Sequence, residues 1–339
     1  MKLRVGLVGL GRAWEVRHRP ALRALADRFE VRAVCEQVGV RAEQAAREFG
    51  ATAVDGYRAL AAREDIDAIL MLAEQWYGWL PILAACEYGK AIYCAAPLQL
   101  ELEEARQIKE RVDKAGVAFM AEFARRQNPA TLRLKELIAT RLGQPRLLFC
   151  HRRIAVGEKP AKPDGPKDRG FGTSDLVELV DWCRYVVGAE PTSVLGMMHS
   201  VSPESDDEDY RMMSLDFSSP GRHAGKGVVA QISSGYYMPQ GWEEAVSFRP
   251  PPAMQVACEH GIAFIDLPAQ VLWFDKAGRH QESLESERAV GELLLSHFHR
   301  SVTSLVRNPA GLEDAYRALV VVLAARRSHE EGRRITLSF

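Results

Sequence analysis

The stretch Leu3-Arg4-Val5-Gly6-Leu7-Val8-Gly9-Leu10-Gly11-Arg12-Ala13-Trp14 decides how this chain is read. Residues 3–8 are a short apolar run ending in glycine, the text of a buried strand. Helical text follows from about Glu15 to Arg28. Gly9 and Gly11 therefore stand in a strand-to-helix turn. Two glycines there allow a tight turn and let backbone N–H groups, Arg12 among them, approach a pyrophosphate at the positive end of the helix. The full dinucleotide fingerprint is G-x-G-x-x-G, and its third position here is Trp14. The second strand, Val31 to Cys35, runs into Glu36. A carboxylate at that point accepts both ribose hydroxyls of NAD and repels the extra phosphate of NADP. NAD is thus expected in preference to NADP. The competing reading is a glycine turn beside a solvated glutamate.

Outward from that turn the alternation continues. A helix over about 40–49 precedes the strand 67–72, and a helix over 80–88 stops at Gly89. The strand 91–94, a charged helix over 101–115 closed by Gly116, and the strand 117–121 complete the series. Strands separated by single helices need crossovers and form a parallel sheet. The expected class is α/β, with a Rossmann-type doubly wound parallel sheet over residues 1–122. Residues 123–339 read as an α+β domain with a large, mainly antiparallel open sheet, whose last helix could pack back on the first domain. Its text runs from a helix over 129–140 and a strand over 146–153 to a Gly/Pro/Lys-rich loop over 157–170. A helix over 175–187, strand text over about 192–275 and helices over 288–307 and 312–332 follow, with an acidic turn at 203–209.

Composition sets bounds. The chain has 339 residues, 44 Lys plus Arg and 45 Asp plus Glu, for a formal net charge of −1. That balance argues against nucleic acid or an anionic membrane as partner, since both demand a basic surplus. No run reads as a signal peptide or a membrane span. The six cysteines, at 35, 86, 94, 150, 183 and 258, form no C-x-x-C pair and read as reduced thiols of a cytoplasmic protein. His297 and His299, two apart on a helix, do not converge on one ion, and no metal is expected. The expected partner is a small-molecule substrate.

The chain resembles the Gfo/Idh/MocA family of sugar and polyol oxidoreductases along essentially its whole length. The resemblance is carried by Gly9-Leu-Gly11, by Val34-Cys-Glu36 with Arg41-Ala42, by Asp67-Ala-Ile-Leu and by Ala84-Ala-Cys-Glu-Tyr-Gly-Lys90. Pro97-Leu98, Phe123-Ala-Arg-Arg126 with Pro129, Asp181-Trp-Cys-Arg-Tyr-Val-Val-Gly188 and the tail from Asp314 to Arg334 extend it. It implies an NAD(P)-dependent oxidoreductase, a cofactor site including Ala73 and Pro97, and a homodimer or homotetramer formed through the open sheet.

The resemblance also exposes departures. Where the family has Glu-Lys-Pro, this chain has Ala95-Ala96-Pro97, so the lysine beside the nicotinamide is missing. The family's Pro and later His after the third strand fall on Glu74 and Gly78. Its Asp and catalytic His fall on Ser174 and Glu178, with Asp175 one residue out of register. Oxidising a hydroxyl needs a base for its proton. The expected rebuilt site uses Glu178, Asp175 and His151, with Glu74, Glu122, Arg153 and Tyr77 at the substrate cleft, and its carboxylates suit a neutral or cationic polar substrate or a metal. The plainer account is that Asp175 and Glu178 only stabilise a helix start, and that Trp76, Tyr77, Trp79, Tyr236, Tyr237 and Trp242 only pack. A lyase or hydrolase on a carboxylate-rich site, and a non-catalytic binding or regulatory relative, are the alternatives to an oxidoreductase.

Overall fold

A computed structural model of the chain describes residues 1–11, 13–73, 77–95, 98, 100–155, 173–200, 210–218, 227–238, 252–285, 288–304 and 311–339. The 157–170 loop, the 203–209 turn, Trp76 and Trp242 lie outside the described residues. The chain divides into two units, Met1–Ala124 with Glu287–Tyr316, and Arg125–Ser286 with Arg317–Phe339.

In the first unit, β1 (Leu3–Val8), β2 (Phe29–Cys35), β3 (Thr52–Ala53), β4 (Ala68–Met71), β5 (Ala91–Cys94) and β6 (Phe119–Ala121) form a parallel sheet in the order β3-β2-β1-β4-β5-β6. The near-continuous apolar text of β4 and β5 reflects burial on both faces. Strand order reverses beside β1, so the carboxyl ends of β1 and β4 flank the switch point where such sheets take ligands. The helices are α1 (Arg19–Ala24), α2 (Gly39–Phe49), α3 (Tyr57–Ala61), α4 (Leu80–Glu87) and α5 (Leu102–Ala115). α5 starts on a reciprocal capping box between Glu101 and Glu104.

One boundary differs from the sequence reading. The expected second domain, 123–339, is interrupted, because the helix Val290–Thr303 (numbered α8 in chain order below) belongs to the first unit. Its apolar face explains this: Leu294, Leu295 and Phe298 are buried in one core with Leu3, Leu22 and Phe29. Amphipathic periodicity marks that such a face exists, but not which core it enters.

In the second unit α6 (Pro129–Leu137), α7 (Thr173–Val187) and, from Arg317 onward, α9 (Leu312–Glu331) accompany a nine-stranded sheet. Its strands are β7 (Pro145–Ala155), β8 (Ser193–His199), β9 (Tyr210–Asp216), β10 (Val229–Met238), β11 (Met254–Cys258), β12 (Ile262–Asp266), β13 (Gln270–Asp275), β14 (Gly278–Ser283) and β15 (Ile335–Thr336). The order is β14-β13-β12-β11-β7-β10-β9-β8-β15, antiparallel except where β7 and β10 run parallel. α6 and α7 pack on β7, β10, β12 and β13. α7 is also fixed by polar contacts. Asp181 closes a buried two-point bond with Arg126, at 2.7 Å to Nε and 2.5 Å to Nη2. Trp182 Nε1 donates to Thr131 Oγ1 at 3.0 Å. The motifs Phe123-Ala-Arg-Arg126 and Asp181-Trp182 thus meet as scaffold, and they place α7 beside β7.

Candidate functional site

The glycine turn is dictated by contact. Gly9 adopts φ +72°, and a Cβ there would stand 2.4 Å from the Ala73 Cβ. A Cβ on Gly11 would stand 2.0 Å from the Leu72 carbonyl oxygen. Only glycine lets the turn lie so close to the end of β4. Glu36 points into this turn: the Leu10 amide donates to its Oε2 at 2.5 Å. Arg41 donates to the Leu10 carbonyl at 2.6 Å, and its Nη1 lies 3.9 Å from Glu36 Oε1. Gly9, Gly11, Glu36 and Ala73 are therefore one cluster, whereas Arg12, Glu74 and Pro97 lie outside the described residues.

Trp14, the misfit in the fingerprint, turns away from the problem it posed. The segment Trp14–His18 is a π-turn ahead of α1. This wider turn carries the indole into the core, where it is 4% exposed and its ring lies 5.9 Å from Phe49. No third glycine is needed for close packing, because the helix enters by a different path.

The cluster fits the adenosine side of a dinucleotide. Glu36 is an acceptor-only group at the end of β2, fixed by an amide of the glycine turn. That is the chemistry a ribose diol requires. On the far side of the switch point, at the end of β5, the described Ala95 presents no side-chain donor and packs its methyl group against the core.

Two first-unit candidates prove to be packed elsewhere. Glu122 was expected to face the cleft, but it is folded inward and 2% exposed. It accepts from Tyr93 Oη at 2.6 Å, pairs with His18 Nε2 at 2.7 Å and forms an ion pair with Arg17. Burial pushes its carboxyl upward, but the bonds from His18, Arg17 and Tyr93 outweigh it and hold the group below the usual glutamate range. Tyr77 packs edge-on to Tyr57, with ring centroids 4.6 Å apart, and bonds the Cys35 thiol. Burial, then Cys35, raises its hydroxyl pKa, and burial pushes Cys35 up to about 11. Tyr77 therefore closes over the end of β2.

In the second unit the trio expected from the sequence, Glu178, Asp175 and His151, is split by strand alternation. Cys150 and Arg152 project from β7 toward α7, Cys150 against Cys183 and Arg152 in an ion pair with Asp175. His151 projects to the opposite face, where it stacks on Phe149 and pairs with Ser233 Oγ at 2.8 Å. His151 thus stands apart from Asp175 and Glu178, a correction to the expected grouping. Arg153 has its side chain outside the described residues. What does gather is a set of arginine–carboxylate pairs. Asp175 meets Arg152, and Glu178 accepts from Arg125 Nε at 3.4 Å. Arg125 also lies over the Trp182 ring, 5.3 Å from its centroid. The alternation of β7 was legible, and it could have selected Arg152 over His151 once Cys150 was assigned to the buried face. Arg125 gave no such signal. Among the described residues no group of three His, Cys, Asp or Glu side chains is arranged to hold a metal, and no helix is long and apolar enough to cross a membrane.

Comparison with known proteins agrees with this layout. A profile described as an oxidoreductase family with an NAD-binding Rossmann fold matches residues 3–123, and one for the GFO/IDH/MocA C-terminal domain matches residues 131–264. The chain is 31% identical over 230 residues to scyllo-inositol 2-dehydrogenase (NAD(+)) of Bacillus subtilis, covering 64% of this chain and 65% of that protein. It therefore spans just under two thirds of that relative. It is 25% identical over 299 residues to inositol 2-dehydrogenase of Rhodococcus erythropolis, covering 84% and 80%. In fold it is similar to an oxidoreductase from Thermotoga maritima, with TM-score 0.82, 21% identity and 99% and 98% of the chains covered. It is also similar in fold to a levoglucosan dehydrogenase solved with NADH and levoglucosan, with TM-score 0.83, 18% identity and both chains fully covered. By its two matching profiles, and by the paired sheets they describe, this chain is a member of the GFO/IDH/MocA oxidoreductase family.

Proposed function

We propose that the chain is an NAD(H)-dependent oxidoreductase that interconverts hydroxyl and carbonyl groups on a sugar, polyol or related small metabolite, with an acid/base site built on Glu178. The observation that carries this reading is the seating of Glu36 in the Gly9–Gly11 turn, bonded to the Leu10 amide. In this reading residues 1–122 supply the cofactor site and the rest of the chain the substrate. Bound there, NAD would supply the hydride acceptor. The glycine turn would hold the pyrophosphate, Glu36 would accept from the ribose hydroxyls and exclude a 2′-phosphate, and Ala73 would border the cofactor; Arg12 and Pro97 are assigned to the same site from the sequence alone. Glu178 takes the hydroxyl proton, with Arg125 keeping its carboxylate in place. Asp175 orients Arg152. The protein acts in the cytoplasm as a homodimer or homotetramer.

Support for a non-standard site comes from the sequence Ala95-Ala96-Pro97 where the family has Glu-Lys-Pro: the alanine at the lysine position, Ala96, has a side chain that can neither donate a hydrogen bond nor carry charge. The test is NADH formation by the purified chain over a panel of sugars and polyols, with Glu178→Gln beside it. Removing the base is expected to lower kcat by about 100-fold or more with little change in NAD affinity. Turnover that Glu178→Gln leaves intact would remove Glu178 from the mechanism. NAD binding without turnover on any substrate would favour a non-catalytic relative.

A further inference from the structure

Two arginines of the second unit differ from their neighbours. Arg126, Arg133 and Arg184 each close a fork on one carboxylate: Asp181 at 2.7 and 2.5 Å, Glu282 at 2.7 and 2.8 Å, and Glu190 at 2.7 and 2.7 Å. Such forks serve the scaffold. Arg125 reaches Glu178 through Nε alone, at 3.4 Å, and Arg152 meets Asp175 through Nη1. Their side chains are 18% and 34% exposed, against 7% for Arg126, 4% for Arg184 and 25% for Arg133, so it is the single-point bonding rather than exposure that sets Arg125 apart. A guanidinium carries five N–H donors, so most donors of Arg125 and Arg152 are uncommitted among the described residues.

The two pairs are neighbours. Asp175 and Glu178 are three apart on α7 and share one helix face. Arg125 lies over the Trp182 ring, 5.3 Å from its centroid. Each carboxylate neutralises its own arginine and fixes the direction of the fork, so the cost of ordering the guanidinium is met before a ligand arrives. Two permanently charged, partly open guanidinium groups, paired with carboxylates one helix turn apart, match a carboxylate, which accepts two parallel N–H bonds. A neutral polyol gives no use for a second guanidinium.

We propose that the ligand of this site is a carboxylate-bearing sugar or polyol acid, bound through Arg152 and Arg125. The proposal rests on reading the site as one for a small polyhydroxy metabolite. It names the charge of that metabolite.

The test is calorimetric titration of the full chain with matched pairs, D-gluconate against D-glucitol and D-glucuronate against D-glucose. Each acid is expected to bind about tenfold or more tightly than its neutral counterpart, as a charge-assisted bond allows. Arg152→Gln is expected to erase that preference while leaving NAD⁺ binding as in the parent, with a small fall in the unliganded Tm from loss of the part-exposed pair with Asp175. Arg152→Lys, which keeps the charge but not the fork, is expected to restore part of it and serves if the glutamine variant does not fold. Equal or tighter binding of the neutral compounds, a preference that survives Arg152→Gln, or no acid binding below about 10 mM overturns the proposal. NAD⁺ titrated into the same samples separates the two readings. Acid binding without NAD⁺ binding ends the oxidoreductase reading and leaves the anion site standing.

Discussion

Replacing Glu122 by glutamine tests the packing of the first unit at a buried charged cluster. The substitution keeps the shape and removes the charge. It also turns an NH₂ group toward a donor, either Arg17 or the His18 and Tyr93 pair that now bonds Oε2. Hydrogen bonds to a charged group are each worth about 1.5–3 kcal/mol, and breaking a buried pair costs about 3–5 kcal/mol. Arg17 is 33% exposed and can turn to water, which discounts its share. The net loss expected is about 2–3 kcal/mol, or a fall in Tm of about 5–10 °C. The pH dependence has a definite sign. The folded carboxyl is held below its ordinary value, so its stabilisation is complete above the unfolded pKa and is lost as pH falls through the folded one. The gap between parent and Glu122→Gln should be constant from about pH 8 to 5 and close below about pH 4. Urea unfolding at a series of pH values measures it. Equal stability at neutral pH, or a gap that persists unchanged into acid, would refute the reasoning.

Two further substitutions probe the scaffold. Trp14→Gly restores the third glycine of the fingerprint but empties a core site. It should cost about 3–5 kcal/mol in urea unfolding and give no gain in NAD⁺ affinity, and a gain would mean that the indole obstructs the cofactor. Arg126→Lys keeps the charge but loses one of the two bonds to Asp181, and should cost about 1.5–3 kcal/mol by the same measurement. Unchanged stability would show that the pair does not anchor α7.

The first sheet was legible because its strands are buried on both faces and its helices end at glycines, as at Gly50 and Gly116. The two-residue β3 was not, since Thr52 and Ala53 are both exposed and carry no pattern. The π-turn at Trp14–His18 was also hidden, because a widened turn leaves the helical text unchanged. The site divides in the same way. Gly9, Gly11 and Glu36 were readable because backbone approach and a carboxylate at a strand end leave a local mark. The pairing of Arg152 with Asp175 and of Arg125 with Glu178 depends on contacts between separate elements, which no spacing encodes. Glu122 shows the limit most plainly. A carboxylate at a strand end reads as a cleft residue until Arg17 and His18 are seen to reach it from the helical segment after the turn.

The central claim is that Glu36, seated in the glycine turn, makes this an NAD site. Calorimetric titration of the purified chain with NAD⁺ and NADP⁺, beside Glu36→Gln, tests it most directly. The account predicts NAD⁺ binding at least about tenfold tighter than NADP⁺, with the difference lost in the variant. No binding of NAD⁺ at millimolar concentration, or equal binding of both by the parent chain, would contradict it.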